Sequence, residues 1–305
     1  MKSYLVFDWG GTFIKYARMN EDAEILDKGK IPSPKKSDTK EIFYETIDQI
    51  VADFPGRPDG IAISSPGIID STKGEIRVIG SFPYLNNTWV RKELEERYQI
   101  SVSIENDGKS AALAELWKGN LQDVRDGAVV VIGTGIGGGI ILDGKLRRGQ
   151  HFFAGEYSAV NLNAYSPEED DSYWGALGHR GLSKEVAKRT GENAGDLDGI
   201  EVFRRVNEGD EAAQEGLRAY CDRFALELFN LNIVLDLSRI CIGGGMSVQP
   251  KLLEYLKESI EGLKRKHPDI VSGTALPLPE VAVCRFYNDA NLIGALYHHL
   301  YERES

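Results

Sequence analysis

Short apolar runs, each stopped by glycine or by a charged residue, recur along this chain in a fixed order. The first, Ser3-Tyr-Leu-Val-Phe, ends at Asp8 and a Gly10-Gly11 turn. Thr12 to Met19 then continues as a strand as far as the polar Asn20-Glu21-Asp22, which predicts a β-hairpin opening a sheet. Over 38–53 the period changes, with Ile42, Ile47, Ile50 and Val51 set among charged residues, as on a helix with one buried face. Gly60-Ile-Ala-Ile-Ser-Ser reads as a buried strand, stopped by Pro66-Gly67. Strands alternating with helices predict an α/β fold.

The second half begins the same way. Ala128-Val-Val-Val-Ile is a β-branched run, followed by a glycine loop over 133–139, after which Ile140-Ile-Leu pairs back to an Asp143-Gly144 turn. Strand, glycine turn, strand, polar turn thus occurs twice, about 120 residues apart, which predicts two related domains facing one another across a cleft. The C-terminal third is mostly helical. Leu217, Tyr220, Cys221, Phe224, Ala225, Leu228, Phe229 and Leu231 follow a 3.6-residue period; Leu252, Leu253, Leu256, Ile260 and Leu263 mark a second amphipathic helix. Between these two, Arg239-Ile-Cys-Ile is a strand ended by Gly243-Gly244-Gly245, and a final helix runs from Asn291 to Tyr301.

Composition narrows the class. With 305 residues the chain has room for two cores. A net charge of −11 argues against general binding of a nucleic-acid backbone. No stretch approaches the ~20 apolar residues that span a bilayer, and the N-terminal residues lack the apolar core of a secretory signal. Cys221, Cys241 and Cys284 are far apart in apolar surroundings and read as small buried hydrophobes in a reducing cytoplasm.

Three clusters carry candidate chemistry. In Asp8-Trp9-Gly10-Gly11-Thr12, with Lys15 following, glycines let backbone N–H groups approach phosphate oxygens, Thr12 adds a hydroxyl and Lys15 a positive charge. Asp8, at the tip of a buried strand, suits a Mg²⁺ ligand acting through water; a hairpin turn with incidental polar residues is the plainer alternative. Gly133-Thr134-Gly135-Ile136-Gly137-Gly138-Gly139 holds five glycines in seven residues yet contains no Walker A pattern. Glu105-Asn106-Asp107 leads into an Ala- and Leu-rich helix with Asp107 at its N-cap. There the carboxylate either only caps the helix or faces the cleft and takes a proton from a sugar hydroxyl. Asn86, Asn87 and Trp89 offer paired amides and an aromatic face to a polyhydroxylated ring, or else begin a helix with a packed Trp.

Together these residues resemble the ROK family of glucokinases, fructokinases, N-acetylhexosamine kinases and related repressors, from Asp8 to about Leu296. Asp8-x-Gly-Gly-Thr-x-x-Lys15 resembles the family's first phosphate motif and Gly133-Thr134-Gly135-x-Gly137-Gly138 its second. Ser65-Pro66-Gly67 resembles the sugar-side loop, Glu105-Asn106-Asp107 the catalytic segment, Ala154-Gly155-Glu156 the sugar motif, and Gly243-Gly244-Gly245 the run near adenosine. The resemblance implies a duplicated two-domain, actin-like (ribonuclease-H-like) ATPase fold. The small domain is expected at 1–118 plus 290–305 and the large one at 119–289, with the active site in the cleft. It implies ATP and Mg²⁺, Asp107 as catalytic base, and Gly67, Asn87, Asn106 and Glu156 on the sugar. Asp8, Gly10, Gly11, Thr12, Lys15, Thr134, Gly135, Gly137 and Gly244 fall to the nucleotide and its metal, and a homodimer is expected.

One departure is sharp. Zinc-bearing relatives follow A-G-E with an aliphatic residue, Gly and His, then a Cys-rich cluster; here Tyr157, Ser158 and Ala159 follow Glu156 and no cysteine cluster exists. No structural zinc is expected, His179 is read as a surface or helix-end residue, and the sugar contact of the missing His at Ala159 must be lost or replaced. With the acidic stretch Glu168–Asp171, this suggests an altered sugar site. The expected reaction is transfer of the ATP γ-phosphoryl group to a hexose hydroxyl, the 6-hydroxyl, with glucose or a β-glucoside favoured and N-acetylmannosamine or fructose as alternatives. A sugar-binding regulator without catalysis is the alternative of another class.

Overall fold

The computed structural model describes residues 2–163, 165, 172–267, 269 and 277–303. The acidic stretch Glu168–Asp171 lies outside the described residues. The chain divides into two compact units, one formed by 1–119, 146–154 and 288–305, the other by 120–145 and 155–287. Segment 146–154, which the sequence placed in the large domain, therefore belongs with the first unit.

In the first unit, β1 (Ser3–Trp9), β2 (Phe13–Asn20), β3 (Ile25–Pro32), β4 (Gly60–Ser65) and β7 (Val102–Asn106) form one sheet in the order β3-β2-β1-β4-β7. The first three are antiparallel; β4 and β7 join in parallel. A small hairpin, β5 (Ile68–Asp70) and β6 (Glu75–Val78), hangs from the end of β4. Three helices follow from the sequence pattern: α1 (Lys40–Ala52), capped by Thr39, α2 (Val90–Tyr98) and α3 (Asp107–Lys118). Leu5, Phe7, Trp9, Ile61, Ile63, Val102 and Ile104 on one sheet face pack with Phe43, Ile47 and Ile50 of α1. Val6 and Ala62 on the other face are also fully buried, which is why β1 and β4 read as unbroken apolar runs. That second face is covered by the C-terminal helix Ala290–Tyr297, which continues as a π-helical turn over His298–Glu302.

That turn buries His299 beside the sheet. Its Nδ1 lies 3.0 Å from Ser103 Oγ, and its ring meets Tyr4 edge-on at 5.6 Å. Burial first, then the charge of Arg303 and the proximity of His298 and Arg91, lower its pKa to about 4. The unfolded imidazole titrates near 6.5, so between these values only the unfolded chain takes up this proton. His299 should therefore leave stability unchanged above pH 6.5 and remove up to about 3 kcal/mol as pH falls from 6.5 to 4. Denaturant melts across that window check it; the one-proton slope should vanish in His299→Gln.

The second unit repeats the plan. β8 (Gly127–Ile132), β9 (Ile136–Leu142), β10 (Lys145–Arg147), β11 (Arg239–Gly243) and β12 (Glu280–Val283) run in the order β10-β9-β8-β11-β12. Again an antiparallel hairpin, here β8–β9, is joined to strands added in parallel. Helices α4 (His179–Thr190), α5 (Gly199–Glu208), α6 (Glu211–Leu235) and α7 (Pro250–Lys266) surround it. Of the stripe predicted on α6, from Leu217 to Leu231, all but Phe229 and Leu231 are buried in one cluster with Leu252, Leu256 and Ile260 of α7, and Leu231 packs partly buried against it. The three cysteines are free thiols and buried.

Candidate active site

In the first unit, the chemistry collects at the C-terminal ends of parallel strands. Asp8 lies near the tip of β1, and only 5 % of its surface is exposed. Its Oδ2 takes the Lys15 ammonium at 3.0 Å; its Oδ1 accepts the side-chain amide of Asn291 at 3.0 Å, with Ser64 Oγ at 3.5 Å. Lys15 reaches it because β2 runs antiparallel to β1 with Lys15 directly opposite Asp8. In the turn between them, the Gly10 N–H is bound to Phe13 O at 3.0 Å, while Gly11 and Thr12 are exposed. The Gly10 amide is thus engaged within the turn itself. A carboxylate fixed by a cation and an amide is a hard oxygen donor set of the kind that suits hydrated Mg²⁺.

The residues expected on the sugar side of this unit come from three separate stretches. Asn106 ends β7 in extended conformation; its Oδ1 accepts the Lys109 N–H at 3.0 Å, and its Nδ2 donates to Gly67 O at 2.9 Å. The cap of α3 is thus Asn106, and Asp107 is the first helical residue, a correction to the reading of Asp107 as the cap. The reason is local: only Asn106 has both the extended backbone and the reach to the third helical amide. Asp107 is half-buried, and its Oδ1 accepts the Gly108 N–H at 2.8 Å. Asn87, exposed and in left-handed conformation (φ 55°), donates its backbone N–H to Arg77 O at 3.4 Å. The side-chain oxygen of Asn86 accepts the Ile79 N–H. Trp89 precedes α2 with 46 % of its surface exposed, so it is not a packed core residue.

In the second unit the glycine loop is shorter than the sequence suggested. Gly137, Gly138 and Gly139 lie within β9, opposite Val131, Val130 and Val129, so the turn proper is Gly133-Thr134-Gly135. The reason is the ladder itself together with close packing: a Cβ on Gly138 would lie 2.7 Å from the Tyr157 ring. Gly137 remains partly exposed on the strand, and Gly133 and Thr134 are exposed at the turn. His179 begins α4, with its backbone N–H and Nδ1 on Gly133 O at 2.9 and 3.2 Å. Ser158 clasps the same turn, its Oγ accepting the Ile136 N–H at 2.8 Å. After β11, Gly244 adopts φ 91°, and a Cβ there would lie 2.0 Å from Ile132 O. Only glycine fits that turn. Glu156, part-buried, opens the 3₁₀ turn Tyr157–Ala159, and Ala159 is exposed.

Four site residues escaped the sequence reading: Ser64 and Asn291 on Asp8, Arg148 on Glu105, and Ser158 on the second turn. Ser64, inside a strand motif, could have been suspected; no spacing rule marks the others.

A carboxylate at the tip of a central strand, glycine turns on two like sheets and an acidic helix start define the actin-like ATPase fold in duplicate. A family model described as ROK family matches residues 4–300. A β-glucoside kinase of Listeria monocytogenes is 30 % identical over 310 residues, covering 97 % of both chains. An N-acetyl-D-glucosamine kinase of Vibrio atlanticus is 30 % identical over 277 residues, covering 84 % of this chain and 89 % of that one. A solved ROK family protein of Streptococcus pneumoniae, in complex with sucrose, superposes with a TM-score of 0.85 at 29 % identity, covering 99 % of each chain. The chain belongs to the ROK family.

Proposed function

We propose that this carbohydrate kinase transfers the γ-phosphoryl group of ATP to the 6-hydroxyl of a hexose, glucose or a β-glucoside. The observation that carries the reading is the junction in the first unit where Asn106 joins Gly67 of the sugar-side loop to the helix start that presents Asp107. Asp107 accepts the hydroxyl proton. Gly67, Asn87, Asn106 and, from the second unit, Glu156 hold the sugar. Asn106 has both side-chain ends engaged by the protein, so it orients the pocket as much as it binds. Gly10, Gly11, Thr12 and Lys15, with Thr134, Gly135, Gly137 and Gly244, take the nucleotide. Mg²⁺, oriented through Asp8, would neutralise phosphate charge. Phosphoryl transfer needs little covalent work from a protein, so positioning carries most of the rate.

The β-glucoside reading draws on the Listeria relative and on the exposed indole of Trp89, an apolar face beside the polar Asn87. The Vibrio relative favours an N-acetylated hexose as the second reading. We further take the protein to be a cytoplasmic homodimer, on family membership alone. ADP release with Mg-ATP across glucose, cellobiose, N-acetylglucosamine, N-acetylmannosamine, mannose and fructose decides among these. Strongest turnover on cellobiose or glucose supports the proposal; turnover confined to the N-acetylated sugars replaces the substrate, and silence across the panel rejects the assigned reaction.

A further inference from the structure

Glu105 is wholly buried and lies one residue before the cap that places Asp107. Its two oxygens have separate partners. Oε1 accepts the backbone N–H of Asn106 at 2.8 Å, and Oε2 accepts Nε–H of Arg148 at 2.7 Å. The same guanidinium donates from Nη2 to Glu302 Oε2 at 2.5 Å, with His298 Nδ1 3.3 Å from that nitrogen. Burial works against the charge on Arg148, but Glu105 and Glu302 outweigh it and raise its pKa. One fork thus ties segment 146–154 to the last residues of β7 and to the C-terminal turn.

Charge neutralisation alone would be met by any cation. The fork does more, because Nε and Nη2 address two carboxylates at fixed angles, whereas a lysine ammonium is a point charge on a flexible stem. Orientation passes along a short chain: the guanidinium sets the plane of the Glu105 carboxylate, that carboxylate holds the Asn106 N–H, and Asn106 both caps α3 and grips Gly67.

The geometry points to Arg148 as a positioning residue for phosphoryl transfer, acting through Glu105 and Asn106 on the placement of Asp107. The inference rests on the reading of Asp107 as base. Arg148→Lys should lower kcat for sugar-dependent ADP release by about 10- to 100-fold, as a misplacement of about 1 Å does, and leave the calorimetric Kd values for sugar and ATP within about threefold. The amide resonance of Asn106 should also move in Arg148→Lys, a readout independent of activity. Glu302→Gln, which keeps the Arg148–Glu105 bond, should lower kcat less than tenfold but measurably. Unchanged kcat per folded molecule in Arg148→Lys, an unmoved Asn106 amide, or losses in kcat and both affinities by the same factor would each overturn the inference. Should Arg148→Lys not fold, wild-type kcat in Glu302→Gln overturns it. The two readings separate: full turnover in Asp107→Asn removes the base assignment and the route that leads to it, whereas slowed Asp107→Asn with unchanged Arg148→Lys removes the positioning role alone.

Discussion

Asp107→Asn is expected to lower kcat by about 10²- to 10⁴-fold, the range of a lost general base, while Kd for the sugar and the melting temperature stay close to wild type. The structure makes this substitution informative. Asp107 does not cap α3, since Asn106 does, so the exchange removes no cap. Its carboxylate accepts the Gly108 N–H at 2.8 Å, a bond the amide oxygen of Asn can also accept. What is lost is the capacity to take up a proton at that position. Steady-state ADP release, with isothermal binding of the sugar and a thermal melt on the same preparation, checks each part. Activity within tenfold of wild type would remove Asp107 from the base role, and a fall in melting temperature would show that the carboxylate is structural after all.

The part of the site legible in the sequence is the part whose residues contradict their local surroundings. Asp8 follows a run of apolar residues that both faces of the sheet bury, and a carboxylate there needs a reason. Gly133-Thr134-Gly135 breaks a β-branched strand. Asp107 follows another strand and opens an Ala-rich helix, so its place near a helix start was visible, although the identity of the cap was not. Asn and Asp are almost equally good caps, and the backbone angles that decide between neighbours are not written in either letter.

What was not legible depends on distance along the chain. Asn291 meets Asp8 across 283 positions, and Arg148 meets Glu105 across 43. Neither stands in a motif with helical or strand spacing that would aim it at its partner. In the fold, β3 was passed over because Ile25–Pro32 is an edge strand whose middle positions are charged or glycine and at least partly exposed. The stretch 133–139 was read as one loop because glycine suggests a turn, yet three of those glycines are in the ladder. At Gly138 a Cβ would meet Val129 O of the paired strand at 1.9 Å and the Tyr157 ring at 2.7 Å, a tertiary fact.

The second large effect is on stability, and it arises where α3 meets the C-terminal helix. Gly294 lies so near the other helix that a Cβ would sit 1.7 Å from the carbonyl oxygen of Ser110. The obstacle is backbone, in the middle of a helix, and cannot rotate away. Gly294→Ala must therefore push the helices apart, at a cost of about 3 kcal/mol or more, which corresponds to a fall of about 10 °C in melting temperature. The same displacement has a catalytic consequence. Asn291 is on the moving helix and holds Asp8, while Ser110 stands three positions after Asp107. The variant should thus lose activity even at temperatures where it remains folded, with the apparent Mg-ATP affinity weakened. Gly262→Ala supplies the contrast. Gly262 is also inside a helix, α7, but a Cβ there meets nothing within 4 Å. That exchange should stabilise by about 0.5–1 kcal/mol, since only the flexibility of the unfolded chain is reduced. Opposite signs for one chemical change, read by the same thermal melt, would separate helix–helix contact from helix propensity as the source of the effect; equal shifts would mean that the helices can part at little cost.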